Sequence, residues 1–335
     1  MNPLSFVVPC CNAGSHLAPL LRSLLAQSVA GLEIVLVDDA SDDDSVATAE
    51  AVGGGRIRVE RNAARLGIAA NWNRALAATA TPYVCIAHQD DLYEPDFAAR
   101  MLAALEQSPK AAFAHCRART IDDEGRDLPS AIEDFKADIW RRGLAADGRQ
   151  RLFARLLQGN FICCSSMVYR RAALADVGGF DPGLQFTLDW QMSLRLLLAG
   201  HDVAHVDATL IAYRRHRTNA TRKHIATHDR YREELRTLAW AHAAGQADGL
   251  LPAGSPPSHA VRNNLLYDAY ADLENGHPDA ARAKLRFGRD EVPGFRRDLM
   301  ARIVAACVAA GPAGRLALRH GLRSYLALRR LLRQG

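Results

Sequence analysis

The chain has 335 residues, 49% hydrophobic and 24% charged, the balance of an ordinary folded protein large enough for one large domain or two modest ones. Met1-Asn2-Pro3 leads straight into an apolar stretch, which predicts no signal peptide, and no apolar run reaches the ~18 residues of a membrane span. The net charge of +5 is uneven, because residues from 281 onward carry +10 and the remainder −5, so the basic character belongs to the C-terminal end and suits an anionic surface.

Leu4–Val8 reads as a buried strand ending at Pro9, and Leu17–Gln27 as a helix with leucines at helical spacing. Ile34–Val37 is a second strand ending at Asp38-Asp39, followed by a short helix to Ala51 that Ser41 or Asp44 would cap. After the turn Gly53–Gly55 come a strand over Ile57–Val59, a helix over Gly67–Ala78 and a strand over Tyr83–Ala87. Pro95 opens a helix to Gln107. This alternation predicts an α/β fold, Rossmann-like, with a mostly parallel central sheet and flanking helices. Beyond it, Phe113–Ala118 reads as a strand and 121–148 as a long charged loop with one short helix. Arg151–Gln158 is helical, Ser165–Tyr169 a strand and Arg171–Val177 a helix, and Gly178–Asp181 is a turn. A helix starts at Asp189 and runs to Ala199, and two short strands follow over Val203–Val206 and Leu210–Tyr213. From Thr221 the pattern is helical. The predicted division is 1–220 for the α/β domain and 221–335 for a helical C-terminal region, in which 262–287 has the look of one tetratricopeptide-like helix pair.

The seven cysteines are odd in number, include the vicinal pairs Cys10-Cys11 and Cys163-Cys164, and form no C-x-x-C. Their spacing fits reduced thiols in a cytoplasmic protein and no zinc site. Chemistry concentrates at strand ends. Asp90-Asp91 closes the strand over Tyr83–Ala87, at the edge where open α/β sheets bind ligands. Adjacent carboxylates there are best explained by a divalent cation carrying a phosphorylated substrate, against the simpler reading of a solvated turn. Asp38-Asp39 ends the second strand, and Asp189 starts a helix. The first turn, Pro9-Cys10-Cys11-Asn12-Ala13-Gly14, lacks the G-x-G-x-x-G of dinucleotide binding, and no Walker motif occurs.

With those pieces in order, the chain resembles an inverting, GT-A-fold glycosyltransferase of family 2. SFVVPCCNAGSHLAPLLRSLLAQS, EIVLVDDASDDDS, RNAARLGIAANWNRALAATATPYVCIAHQDD, VGGFDPGLQFTLDWQMSLRLLLAGHDV and LIAYRRHRTNAT follow the family's sequence of segments over residues 4–221. The resemblance implies that Asp39 contacts the base of a nucleotide sugar with Pro9 and Asn12 beside it. It places Asp90 by the ribose and metal, Asp91 on the metal, Asp189 as catalytic base, and His216 on the metal or diphosphate. It implies Mn2+ or Mg2+ as cofactor, a nucleotide-sugar donor with UDP favoured, and a saccharide or lipid-linked acceptor. His88 stands where many family members have an acid. Gln191 and Arg195 are followed by Leu196 rather than tryptophan, so the processive signature is absent and a single addition is implied. A catalytically inactive nucleotide-sugar-binding scaffold is the competing reading, and the intact Asp90, Asp91 and Asp189 weigh against it. Other readings of single residues stay open: Asp189 as a helix cap, Asp39 as a turn residue, His216 as one more basic surface residue, and Asn71 and Asn73 as supports of the nucleotide pocket or, more simply, as solvated helix residues. Asp42, Asp43 and Asp44 are read as a solvated loop.

Arg315–Arg333 sets leucines among arginines at helix-like spacing. Two readings compete: a helix lying on an anionic membrane at the inner face of the cytoplasmic membrane, or a helix packing its leucines on the enzyme. Nucleic-acid binding is not expected, since basic and aromatic residues do not interleave.

Overall fold

The computed structural model describes residues 3–141, 148–216, 227–254, 257–311, 314 and 316. Its strands are β1 (Leu4–Cys10), β2 (Glu33–Asp38), β3 (Arg58–Arg61), β4 (Tyr83–Ile86), β5 (Leu92–Tyr93), β6 (Ala111–Ile121), β7 (Asp127–Leu128), β8 (Val168–Arg170) and β9 (Asp202–Arg214). The helices in the same span are α1 (Leu17–Leu25), α2 (Ser45–Gly53), α3 (Ile68–Ala77), α4 (Phe97–Gln107), α5 (Ala131–Arg141), α6 (Gly148–Leu156), α7 (Arg171–Val177) and α8 (Leu188–Leu198). Among the described residues the strands form one sheet in the order β3-β2-β1-β4-β8-β6-β9-β5, with β7 paired to β6. β3, β2, β1 and β4 are parallel. The second half is mixed: β8 lies antiparallel to both β4 and β6, β6 runs parallel to β9, and β5 caps the edge antiparallel to β9.

The apolar runs of β1, β2 and β4 are buried because helices cover both faces of the parallel half. Phe6, Val8, Leu36 and Cys85 pack with Leu17, Leu20, Leu21 and Leu24 of α1 and Phe97, Met101 and Leu105 of α4. The chain goes from β1 outward to β2 and β3, then returns to β4 on the other side of β1. That reversal opens a crevice at the C-terminal ends of β1, β2 and β4, where ligands bind in such sheets.

Several boundaries differ from the sequence expectation. The two short strands expected over Val203–Val206 and Leu210–Tyr213 are one strand, β9, whose register against β6 slips between Cys116 and Ala118. The slip absorbs extra residues as a bulge, and Arg117 meets Asp207 there at 3.2 Å. The stretch 121–148, expected as a long loop with one short helix, holds the end of β6, the β7 hairpin arm and one helix, α5. α5 forms because Ala137, Ile139 and Trp140 find a buried face against β6 and β9, which composition alone does not reveal. Neither Ser41 nor Asp44 caps α2 through its side chain. Asp43 accepts the Ser45 N–H instead, at 3.1 Å.

Contacts divide the chain into two units, Met1–Leu156 with Asn160–Asn219 and Ala244–Ala253, and Leu157–Gly159 with Ala220–Ala243 and Gly254–Gly335. The first unit holds the sheet. The second is helical, with α9 (Asp229–Ala247) as far as Ala243, α10 (His259–Glu274), α11 (Pro278–Glu291) and α12 (Leu299–Ala309). Within it Tyr231 donates to Asp268 at 2.6 Å, and His228 stacks on Phe287. The basic tail at Arg315–Arg333 lies outside the described residues apart from Leu316.

Candidate active site

The crevice is built mainly from two loops, with the end of β2 between them. The first follows β1. Pro9 sits near the strand's end in register with Val37, past the last β1–β4 pair of Val7 with Ile86, where a missing N–H is tolerated. Asn12 takes a left-handed conformation, φ 51°, which asparagine accepts more readily than most residues. Its N–H donates to Ser41 Oγ at 2.9 Å, and its Oδ1 accepts the Asp42 N–H at 2.8 Å. Asp43 accepts the Gly14 N–H at 3.0 Å and the Ser45 hydroxyl at 2.6 Å. Asp43, though exposed, therefore staples the loops after β1 and β2 together. Although desolvation opposes it, these donors hold its carboxyl below the usual range.

Asp39, at the end of β2, is 4% exposed and engaged on both oxygens. Oδ1 accepts from Asn62 Nδ2 at 2.9 Å and from the Leu66 N–H at 2.7 Å, while Oδ2 accepts the Gly67 N–H at 3.0 Å. Asp39 thus anchors the segment leading into α3. Asn71 is buried as well, bonding Asn62 and the Val37 carbonyl, and Asn73 takes the Phe180 N–H at 2.7 Å and returns a bond to the Phe180 carbonyl at 2.8 Å. The two asparagines read as solvated are ties between α3 and other segments.

The second loop carries His88, Asp90 and Asp91 just past β4. One ligand atom from each lies within 4.8 Å of the others. His88 Nε2 and Asp91 Oδ2 are buried without a protein partner, and each such orphan costs about 1–3 kcal/mol unless something binds it. One imidazole and two carboxylates fit a divalent cation and leave coordination positions for substrate oxygens. Asp91 is wholly buried, its Oδ1 accepting the Arg214 N–H at 2.9 Å. Burial first, and the Asp90 charge second, push its carboxyl well above the usual range, a direction that a bound cation would reverse. For Asp90 burial is outweighed by the His216 hydrogen bond and by the charges on His88 and His216, so its carboxyl falls below the usual range. His216 Nε2 lies 2.8 Å from Asp90 Oδ2, and His16 packs on the His216 ring at 4.7 Å. His216 thus backs Asp90 and is not among the three converging groups.

Asp189 stands in the first turn of α8. The residue preceding that helix is Thr187, with no side-chain cap, while the Trp190 N–H of the first turn bonds the Asp189 carboxylate, so a helix-end role and a site role coexist at Asp189. Its Oδ2 accepts from Asn160 Nδ2 at 2.9 Å. Burial raises its carboxyl, partly opposed by Asn160, the Trp190 N–H and the charge of His88. Conversely, burial lowers His88 against the charges of Asp90 and Asp189, so all three share one electrostatic site. On α5, Lys136 donates to Glu133 at 2.9 Å. Burial opposes its charge, but Glu133, with Cys163 and Asp189, holds it up.

Sequence reasoning missed Gln89, Asn160 and the Glu133–Lys136 pair, and noted His88 only as a departure. Gln89 accepts the Cys11 N–H at 2.8 Å and donates to the Cys11 carbonyl at 3.2 Å, imitating a neighbouring strand and tying the first loop to the second. Position beside Asp90-Asp91 was its only sequence signal. Asn160 and Lys136 had none, because only the folded chain brings Asn160 into contact with Asp189 and Lys136 within its electrostatic reach.

A family model described as "Glycosyl transferase family 2" matches residues 5–178. The chain is 26% identical to the "PGL/p-HBAD biosynthesis glycosyltransferase" of Mycobacterium bovis, over 57% of this chain and 68% of that one. Residues 1–349 of TarS from S. aureus, solved with UDP-GlcNAc, superpose with a TM-score of 0.60 at 15% identity, covering 95% of this chain and 92% of that one. Against the longer TarS chain the coverage is 53% of its length. The mannosyltransferase PcManGT of Pyrobaculum calidifontis, solved with GDP-Man and Mn2+, superposes with a TM-score of 0.59 at 18% identity, covering 96% of this chain and 82% of that one. The shared architecture is the GT-A fold.

Proposed function

The chain belongs to glycosyl transferase family 2, and on that premise we propose that it moves one sugar, with inversion, from a nucleotide-diphosphate sugar to a hydroxyl of a glycan or lipid-linked saccharide. The observation that carries the reading is the convergence of His88, Asp90 and Asp91, two of their atoms orphaned, in the same electrostatic site as the Asp189 carboxylate. In this reading Asp91, Asp90 and His88 hold Mn2+ or Mg2+, and His216, hydrogen-bonded to Asp90, contacts the metal or diphosphate. When bound, the cation neutralises charge growing on the departing diphosphate. Pro9, Asn12 and Asp39 border the nucleotide, with UDP the favoured base. The TarS and PcManGT structures, which contain UDP-GlcNAc and GDP-Man, support a nucleotide-sugar donor.

In the reaction, the acceptor oxygen bonds to the anomeric carbon while the bond from that carbon to the diphosphate oxygen breaks. The diphosphate leaves with the electron pair, and Asp189 takes the hydroxyl proton. The segment after Asp189 supports single addition, because Leu196 stands where processive members carry tryptophan. Screening nucleotide sugars with Mn2+ or Mg2+ by thermal shift identifies the donor. Asp189→Asn is expected to bind that donor normally and to lose about 10²–10⁴-fold in transfer. Turnover at the parent rate would reject Asp189 as base and leave the inactive-scaffold alternative to be judged on whether the parent protein transfers sugar at all.

We also propose a cytoplasmic site of action with peripheral contact to an anionic membrane, where a lipid-linked acceptor would lie. The concentration of +10 after residue 281 and the exposure of Leu299 (66%) and Ile303 (41%) one turn apart on α12 support it.

A further inference from the structure

Asp189 is approached by a neutral side chain whose orientation is dictated elsewhere. Asn160 Oδ1 accepts the Ile162 N–H at 3.1 Å. Only the oxygen of a carboxamide can accept a backbone N–H, so the NH2 group is turned away from Ile162 and toward Asp189 Oδ2, which it meets at 2.9 Å. Asp189 is also fixed from below: its carbonyl accepts the Ser193 hydroxyl at 2.8 Å. The contact therefore locks the rotation of a carboxylate already planted at the start of α8.

We propose that Asn160 is a positioning residue for sugar transfer, which pins Asp189 Oδ2 so that Oδ1 is the oxygen presented to the acceptor hydroxyl. This rests on Asp189 being the base. In the transfer step the proton of the acceptor hydroxyl passes to Oδ1 as the new bond to the anomeric carbon forms and the diphosphate leaves. Asn160 exchanges no proton and only its N–H contact with Oδ2 is required.

An Asn160 that served folding without bonding the carboxylate would leave the ionisation of Asp189 unchanged. A donor on a carboxylate favours its charged form, so losing it must raise the pH at which Asp189 becomes a competent base. The other titratable groups acting with Asp189 are His88 after β4, Lys136 on α5, Cys164 before β8 and Tyr169 on β8, and all remain in an Asn160 variant.

Asn160→Asp keeps the oxygen that accepts from Ile162 and replaces the donor by an acceptor at almost constant shape. Asn160→Ala removes both. Full-length proteins are compared with Mn2+ and the nucleotide sugar hydrolysed fastest from a panel of UDP-, dTDP- and GDP-sugars. The Asp189 carboxyl is titrated in parallel by 13C NMR, its signal assigned with Asp189→Asn, so that the outcome is decided even if no sugar on the panel is hydrolysed. Asn160→Asp should shift the acid limb of kcat/KM and the NMR titration upward by about one pH unit or more, with the alkaline plateau within about threefold of the parent. Asn160→Ala should lower the plateau kcat about tenfold, because the carboxylate is no longer held in line. An acid limb and titration identical to the parent, with a rate lowered evenly at all pH values, overturns the positioning role. Parent-like hydrolysis by Asp189→Asn instead overturns Asp189 as base, a separate result.

Discussion

A carboxylate with no exposure and one unbonded oxygen, as in Asp91, is an expensive side chain for a folded protein to keep. Its neighbour Asp90 adds repulsion, which the Ser165 side chain and the Arg214 N–H only partly offset. Stability alone would favour an amide there. Asp91→Asn is therefore expected to melt at or above the parent temperature in metal-free buffer, since the amide retains the bond from Arg214 and carries no buried charge. The same variant should lose Mn2+-dependent binding of nucleoside diphosphate. Calorimetric titration of UDP with and without Mn2+ checks this, and parent-like metal dependence would remove Asp91 from the cation site. Asp39 is the opposite case, a buried carboxylate with three donors. Asp39→Asn turns an NH2 toward at least one of those donors and should cost ~1–3 kcal/mol in urea unfolding. A loss within experimental error would mean the anchor to α3 is dispensable.

The pairing of β6 with β9 shows what an element adds beyond its residues. Register sets His115 opposite His205, and Trp140 of α5 stacks on His205 at 4.7 Å and 12°. The ring nitrogens His115 Nε2, His205 Nδ1 and His205 Nε2, with Trp140 Nε1, are buried without hydrogen-bond partners. Burial pushes His115 well below its usual value, with the His205 charge adding to it, and burial lowers His205 to about 4 against the pull of Asp207. Above the ordinary histidine value of ~6.5 both are neutral in either state, and the docking of α5 is fully stable. As pH falls from there toward about 4, the unfolded chain takes up protons that the folded His205 refuses, so stability falls. The expected slope is up to ~1.4 kcal/mol per pH unit for each histidine. His205→Phe should flatten the loss of melting temperature between pH 8 and 5, and an unchanged slope would assign the acid sensitivity elsewhere.

Across the whole molecule the charge is segregated, the portion before residue 281 being net acidic and the portion after it strongly basic. Each basic residue near an anionic bilayer contributes ~1 kcal/mol, screened by salt. The full-length protein is expected to sediment with phosphatidylserine- or phosphatidylglycerol-containing liposomes at low salt and to be released at high salt. Deleting the residues after Gly311 should abolish sedimentation and leave hydrolysis of the nucleotide sugar intact. If the deletion instead lowers the melting temperature while the parent protein ignores the liposomes, those residues serve packing and the membrane reading fails.

Apart from β5, which forms only by pairing with β9, the order of strands and helices through Gln107 was legible because the apolar periods of β1, α1, β2, α3, β4 and α4 are each set by local burial, and Pro95 and the glycines near residue 54 punctuate them. Asp90 and Asp91 were legible for the same reason: a strand announces its own end. Beyond that point, α5 and the continuous β9 form because partners distant in sequence offer a surface and a register. Which residues serve the site was likewise undecided by the sequence. Asp39 is saturated by the segment after β3, His88 joins the two aspartates, and Asn160 reaches Asp189 across 29 positions. A hydrophobic period is a property of neighbouring residues and can be read along a chain. The direction of a hydrogen bond between side chains brought together by folding is fixed only when the backbone has placed both, so the tertiary structure alone decided it.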